Sequence, residues 1–277
     1  MIDPPSRLLI IGCASQDVIH LEQHSCTVNC LGGAGLYTAL AAQSAGAAST
    51  LLAPKPPDFK SVFTKYKITL DWFGPQSTDD NFPHLEIKHH GNDRATLVSA
   101  SWGTESLLQV NWLPQNLQSF AIVHIAALSS ASRQLDFLKA IRAQCNCKIS
   151  VGTYARLAYG ETREVRELVS GSDYAFMNEN ESNAIFDPAQ FPLKPSEEQV
   201  ICVTRGRLGA SVYTSDAELI VPGFPVQEFD PTGAGDTFAG TMLASLMQNH
   251  TLQGSAELAI QRSALVITQA GFAALFD

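Results

Sequence analysis

The chain has 277 residues, 45% of them hydrophobic and 16% charged, which is ample for a large core and excludes a disordered chain. Its formal net charge is −9 with no cluster of Lys or Arg, so nucleic acid is excluded as a partner. A small phosphorylated ligand is not excluded, because it needs only local donors.

The apolar run LLII before Gly12-Cys13 is too short for a signal peptide, and no stretch has the length of a membrane helix. The expectation is a cytoplasmic protein with no membrane partner. The six cysteines, Cys13, Cys26, Cys30, Cys145, Cys147 and Cys202, form no CxxC pair and match no zinc spacing. They read as scattered buried thiols of a reducing compartment.

In chain order, LLIIG (8–12) reads as a buried strand ended by glycine. GLYTALAAQSAG (35–46) reads as a helix stopped by Gly46, and TLLA (50–53) as a second strand. AIVHIAAL (121–128) and KISVG (148–152) read as strands around a helix, SRQLDFLKAIRAQ (132–144), whose Leu135, Leu138 and Ile141 share one face. TREVRELV (162–169) reads as a helix, DYAFM (173–177) and VICVT (200–204) as strands. Strands that are apolar on both faces and alternate with helices predict a parallel sheet covered on two sides.

One region departs from that rhythm. HLEIKHH (84–90) and RATLVSAS (94–101) alternate by twos and are joined by Gly91-Asn92-Asp93, which predicts a hairpin with one exposed face. Residues from about 14 to 30 are irregular and polar. Segments of about 14–30 and 82–102 are expected to form a small β lid inserted in a single α/β domain spanning 1–277. The Pro-rich patches at 54–57 and 188–195 read as loops.

The most informative stretch is DPTGAGDTFAG (230–240). Phe238, Met242 and Leu246 recur at helical spacing, so a helix starts near Gly233 and runs to about Asn249. A helix start leaves N–H groups without partners and carries a positive partial charge. Glycine and alanine there let an anion approach the backbone. Asp236 lies within the first turn, where that field favours its ionised form, able to accept a proton. An anion cradle beside a carboxylate base is what phosphoryl transfer to a hydroxyl requires. Two other phosphate motifs fail: Thr241 stands where a P-loop needs lysine, and Phe238 where a dinucleotide fingerprint needs its third glycine.

With Gly12, Asp17, Gly32-Gly33, Asn178-Glu179-Asn180-Glu181 and Thr204-Arg205-Gly206-Arg207-Leu208-Gly209-Ala210 in order, DPTGAGDTF resembles the signature of the ribokinase-like (PfkB) carbohydrate kinases. The resemblance implies a three-layer αβα sandwich with a mostly parallel central sheet and a small β lid. It implies an ATP- and Mg2+-dependent kinase acting on a hydroxyl of a sugar, sugar alcohol or nucleoside. Asp236 would be the general base, with the N–H groups of Ala234, Gly235 and Asp236 as an anion hole and Gly233 supplying the bend. Asp17, Gly32, Gly33 and Tyr37 would bind the acceptor. Asn178, Thr204, Arg205, Gly206 and Gly209 would serve the nucleotide, Asn178 and Glu181 the Mg2+ with its waters, and the last helix, about 255–270, part of the adenine wall. A homodimer through the lid fits the resemblance.

Two departures stand out: Tyr37 replaces the family's usual asparagine, and Gly152-Thr153 stands where an aspartate is frequent. Two alternatives stay open, a kinase of a vitamin-precursor alcohol of pyridoxal or thiazole type, and a catalytically silent small-molecule-binding relative.

Overall fold

The structure is a computed structural model that describes residues 7–58, 63, 64, 66, 68–91, 94–191 and 193–276. Asn92 and Asp93 of the expected hairpin turn, and Pro192 of the second Pro-rich patch, lie outside the described residues.

In chain order the first strands and helix are β1 (Arg7–Ile11), β2 (Ser15–Leu21), β3 (Cys26–Gly32), α1 (Ala34–Ser44), β4 (Ala48–Leu52) and β5 (Asp71–Phe73). The hairpin follows as β6 (His84–Gly91) and β7 (Arg94–Ser101). Next come β8 (Phe120–Ile125), α2 (Ala131–Gln144), β9 (Lys148–Gly152), α3 (Ala155–Gly160) and α4 (Thr162–Ser170). The chain continues through β10 (Tyr174–Asn178), α5 (Glu179–Ile185), β11 (Val200–Thr204), β12 (Ala210–Tyr213) and β13 (Glu218–Val221). It closes with α6 (Ala234–Met247) and α7 (Leu252–Val266).

A nine-stranded sheet has the order β13-β12-β11-β10-β9-β8-β1-β4-β5. From β11 to β5 every pairing is parallel, while β12 and β13 add an antiparallel edge. Strand β1 carries no polar alternation because both its faces are covered. Leu8 and Ile10 pack in one core with Leu36 and Leu40 of α1 and Met242 and Leu243 of α6. Leu9 and Ile11 pack in the other with Leu135 and Ile141 of α2 and Val165 and Leu168 of α4. Truncating any one of these buried leucines to alanine costs about 2–5 kcal/mol. The three-layer, mostly parallel architecture agrees with the expectation.

A second sheet of four strands has the order β3-β2-β6-β7, parallel only between β2 and β6. On β2 the side chains of Ser15, Asp17, Ile19 and Leu21 are buried, whereas Gln16, Val18 and His20 are not. Side-chain contacts brace its solvent side: a His20–Glu86 hydrogen bond at 2.8 Å, and Glu22 held by both the Lys88 ammonium at 2.6 Å and a His90 hydrogen bond at 2.7 Å. Exposed pairs of this kind contribute little to stability.

The expected elements appear within a few residues, except that 14–30 is regular rather than irregular, forming β2 and β3. Residues Pro188–Gln190 make a short 3-10 turn inside the expected loop. Cys145 and Cys147 are joined in a disulfide, and the other four cysteines are free, which corrects the reading of scattered thiols for that pair.

Candidate active site

The parallel strands end on one side of the central sheet, the side where α/β folds bind ligands. A cavity of about 400 Å³ opens there, between the carboxyl ends of β8–β11, the start of α6 and the inner face of the second sheet. A larger depression of about 790 Å³, walled by Gln16, Asn29, Asp79 and Gly271, contains neither Asp17, Glu181 nor Asp236.

The start of α6 is set by Gly233, whose φ of 78° is left-handed, a conformation glycine takes without a steric penalty. No side chain caps this helix. Among the described residues the N–H groups of Gly235 and Asp236 have no partner in the protein, while Thr237 N donates to Gly233 O at 2.8 Å. Both free amides belong to residues that line the cavity. Ala234 differs from its sequence reading: its N–H closes a turn onto Pro231 O at 3.3 Å, and the residue does not line the cavity.

Three carboxylates share this space. Asp17 lies within β2 rather than in a turn past β1, opposite Cys30 and beside Leu85. Its Oδ1 accepts the Ser15 hydroxyl at 2.6 Å. Gly32 exists to admit this carboxylate, since a Cβ there would stand 2.1 Å from Asp17 Oδ2. Burial is the main reason its pKa rises to about 7, the charge of Asp230 adding to it against the Ser15 and Gly33 hydrogen bonds. Glu181 caps its own helix, α5. Asn178 N and Nδ2 donate to its two oxygens at 2.9 and 2.7 Å, and Glu181 N returns a bond to Asn178 Oδ1 at 2.9 Å. Burial lifts its pKa to about 7.

Asp236 is half-buried, and loss of hydration, reinforced by the charges of Glu181 and Asp17, lifts its pKa to about 8. This corrects the expectation that the helix field holds it ionised: desolvation and two like charges outweigh the helix terminus. All three acids have folded pKa values raised above those of an unfolded chain, so the folded state holds extra protons between about pH 4 and pH 8. The stability they lend is complete below pH 4 and is lost as pH climbs through 7 to 8. Thermal melts of the ligand-free protein should therefore fall across that window, and Asp17→Asn should flatten the fall. A melting temperature that rises from pH 5 to 8 would contradict the assignment.

The remaining sequence candidates divide. Gly33, with φ of 97°, lines the cavity at the head of α1, packed so that a Cβ would meet Cys13 O at 2.7 Å. Tyr37 also lines it, with its ring flat beneath Gly233 and its hydroxyl buried without a partner among the described residues. Burial foremost, then Cys30, Asp230, Asp17 and Asp236, pushes that phenol well above its usual pKa. Asn178 and Thr204 are on the wall.

Arg205, Gly206 and Gly209 are not on it. They form a closed turn, Arg205 N to Gly209 O at 2.7 Å, with the Arg205 Nε buried and unpartnered. Gly209 also serves the sheet edge, where a Cβ would strike Val221 O.

Several wall residues escaped the sequence reading. His124, at the end of β8, is buried, its Nδ1 2.8 Å from Ser150 Oγ, and burial drops its pKa to about 3, so the ring is neutral. A lone histidine in an apolar strand reads as core. Trp102 and Tyr154 bring their rings to 6.4 Å, and Leu85, Ile87 and Leu97 turn apolar side chains inward from the second sheet. Gly152 leaves the wall beside His124 open, a Cβ there reaching only to 3.6 Å from Nε2.

The sequence matches the pfkB family of carbohydrate kinases over residues 6–276. The cytidine kinase of Thermococcus kodakarensis is 26% identical over 274 residues, covering 95% of this chain and 97% of that one. The crystal structure of a Methanocaldococcus jannaschii nucleoside kinase superposes with a TM-score of 0.75 at 22% identity, over 96% of this chain and 93% of that one. A Burkholderia thailandensis nucleoside kinase in complex with ADP-inosine gives a TM-score of 0.75 at 16% identity, over 95% and 90%. The chain belongs to the pfkB family of carbohydrate kinases and is an ATP-dependent phosphotransferase acting on a hydroxyl of a sugar or nucleoside.

Proposed function

We propose that the chain is a nucleoside kinase, phosphorylating a hydroxyl of the nucleoside's sugar. The observation that carries this reading is a single cavity that joins the free amides of α6, Asp236 and Asp17 to an apolar, aromatic wall. A free sugar is too small to cover Trp102, Tyr154, Leu85, Ile87 and Leu97 together and would leave much of that apolar wall to water, whereas an attached base adds a flat ring that shields it. The matched cytidine and nucleoside kinases support the same reading.

In this reading Asp17 accepts a hydrogen bond from the acceptor's sugar. Asp236 takes the proton of the attacking hydroxyl, and the amides of Gly235 and Asp236 receive the phosphoryl oxygens. Tyr37 supports the turn at Gly233 from below. The half-buried guanidinium of Arg205 would approach nucleotide phosphate, and Leu208 and Phe224, exposed beside the Arg205–Gly209 turn, would take the adenine.

Among the described residues no three His, Cys, Asp or Glu side chains could enclose a metal. Mg2+ prefers oxygen ligands and keeps several waters, so Glu181 with Asn178 fits an ion held through water and nucleotide phosphates. The mutual repulsion of Glu181 and Asp236 is what such a cation would relieve. Bound Mg2+ would supply neutralisation of the phosphate charge. The chain works as one domain, and the second sheet acts as a lid that keeps water, a competing acceptor, away from the phosphoryl group.

ADP release measured over nucleosides, free ribose, fructose, polyols and a pyridoxal-type alcohol tests this. Nucleosides should exceed ribose by roughly 10-fold or more in kcat/KM, the scale expected when an apolar pocket is left empty. Equal rates on ribose would overturn the base site. Bound ATP with no turnover on any acceptor would identify a silent relative.

A further inference from the structure

His89 lies near the end of β6, on the second sheet, yet its hydrogen bond leaves that sheet. Its Nε2 is 2.9 Å from Thr232 Oγ1 and 3.9 Å from Asp230 Oδ1. Its side chain is 13% exposed. Burial, ahead of the opposing charge of Asp230, holds its pKa below the usual histidine value, so the ring is neutral near pH 7. No other side chain of the second sheet hydrogen-bonds residues 230–233 among the described residues.

The segment it reaches is fastened on its other side. Asp230 is buried, and its Oδ1 accepts Thr232 N at 3.0 Å while its Oδ2 accepts Gly271 N at 3.4 Å. Asp230 N in turn donates to Ile267 O at 3.1 Å. Thr232 thus sits between two anchors, one in the body and one in the second sheet, and is followed at once by Gly233 and the free amides of α6. With a carboxylate 3.9 Å away, the proton of the neutral ring belongs on Nε2, which donates to Thr232 Oγ1. The threonine hydroxyl hydrogen is then left to an acceptor in the cavity that Thr232 lines.

We propose that His89 is a positioning residue, tying the second sheet to the Asp230–Gly233 turn so that closure over an acceptor and setting of the α6 amides occur together. This rests on the kinase reading above, in which those amides receive the phosphoryl group. A misplacement of about 1 Å at such a site costs on the order of 100-fold in rate, so a hydrogen bond that fixes the turn is felt in turnover rather than in acceptor binding.

The test compares His89→Phe, which keeps the bulk, His89→Gln, which keeps a donor, Thr232→Val, and the double variant His89→Phe/Thr232→Val. Turnover in His89→Phe should fall about tenfold or more while the acceptor KM changes little. His89→Gln should recover a substantial part of the loss, and the double variant should be no slower than the slower single one.

Hydrogen exchange of the bonded amides of Thr232, Ala234 and Thr237, measured in the protein without ligands, should quicken in His89→Phe while the central strands are unchanged. Turnover within about twofold of the parent, a loss confined to KM, or losses that multiply in the double variant would each overturn the proposal. If His89→Phe fails to fold, His89→Leu carries the same two readouts with the same outcomes. If the parent protein phosphorylates no acceptor, the kinase reading falls and exchange alone decides the latch, equal exchange in variant and parent overturning it.

Discussion

Asp236→Asn should lower turnover by about 10²- to 10⁴-fold, the range a positioned general base contributes, while leaving the fold and ATP binding intact. The asymmetry follows from the electrostatics of the site. Asparagine matches the neutral, protonated form of the residue, which the raised pKa of about 8 already favours in the ligand-free protein near neutrality. It also removes the carboxylate on which the charges of Glu181 and Asp17 both act. Thermal stability should hold, or rise at pH 8, even as the rate collapses.

In the parent protein kcat/KM should climb with pH from about 6, as the proton leaves Asp236, reach half its maximum near pH 8 and level off about a unit higher. The sign is opposite to that of stability over the same window, because the ionised form that works as a base is the one folding disfavours. ADP release, nucleotide calorimetry and melts on the one variant check all of this. Near-normal turnover in Asp236→Asn would remove the residue from the role of base, and a flat pH profile would remove its titration from the rate.

Much of the body was legible because its physics is periodic. LLII in β1 must be buried on both sides, and the structure divides Leu8 and Ile10 from Leu9 and Ile11 between two cores. The start of α6 was legible for another reason: Gly233-Ala234-Gly235 makes sense only where backbone is wanted.

The second sheet was half hidden. Strand β2 alternates, but two of its inward residues are polar, Asp17 on the cavity wall and Ser15 hydrogen-bonded to it, so the alternation looked like a polar loop. Asp17, read from the sequence as an acceptor-binding residue in a turn, lines the cavity from within a strand. The aromatic wall had no local signal at all, since Trp102 and Tyr154 meet only through the fold. His124 was camouflaged by a strand in which every neighbour is apolar. Arg205, Gly206 and Gly209 carry the family pattern, yet their turn is outside the cavity, and Gly209 is explained equally well by its approach to Val221 O.

Gly233→Ala should be the second most damaging change, although it adds a single methyl group. Two separate obstacles oppose it. The backbone is left-handed at φ 78°, which costs a residue with a Cβ of order 1–2 kcal/mol. The added Cβ would also lie 2.4–2.5 Å from three carbons of the Tyr37 ring, which is fixed in a buried site and cannot swing away. Either the ring or the turn must shift, and the turn is the less confined of the two, since its far side is the cavity. The amides of Gly235 and Asp236 would then be displaced from the position where charge develops, and loss of oxyanion-type donors costs about 10²- to 10³-fold in kcat.

The two obstacles can be separated. Gly233→Ala combined with Tyr37→Ala removes the clash but keeps the backbone cost, so it should regain part of the turnover at a further expense in stability from the emptied ring site. Gly233→Asn tolerates the left-handed backbone but keeps the clash, so it should be as slow as Gly233→Ala while melting closer to the parent. If Gly233→Ala turns over at the parental rate, the turn above Tyr37 is not where the phosphoryl group is held.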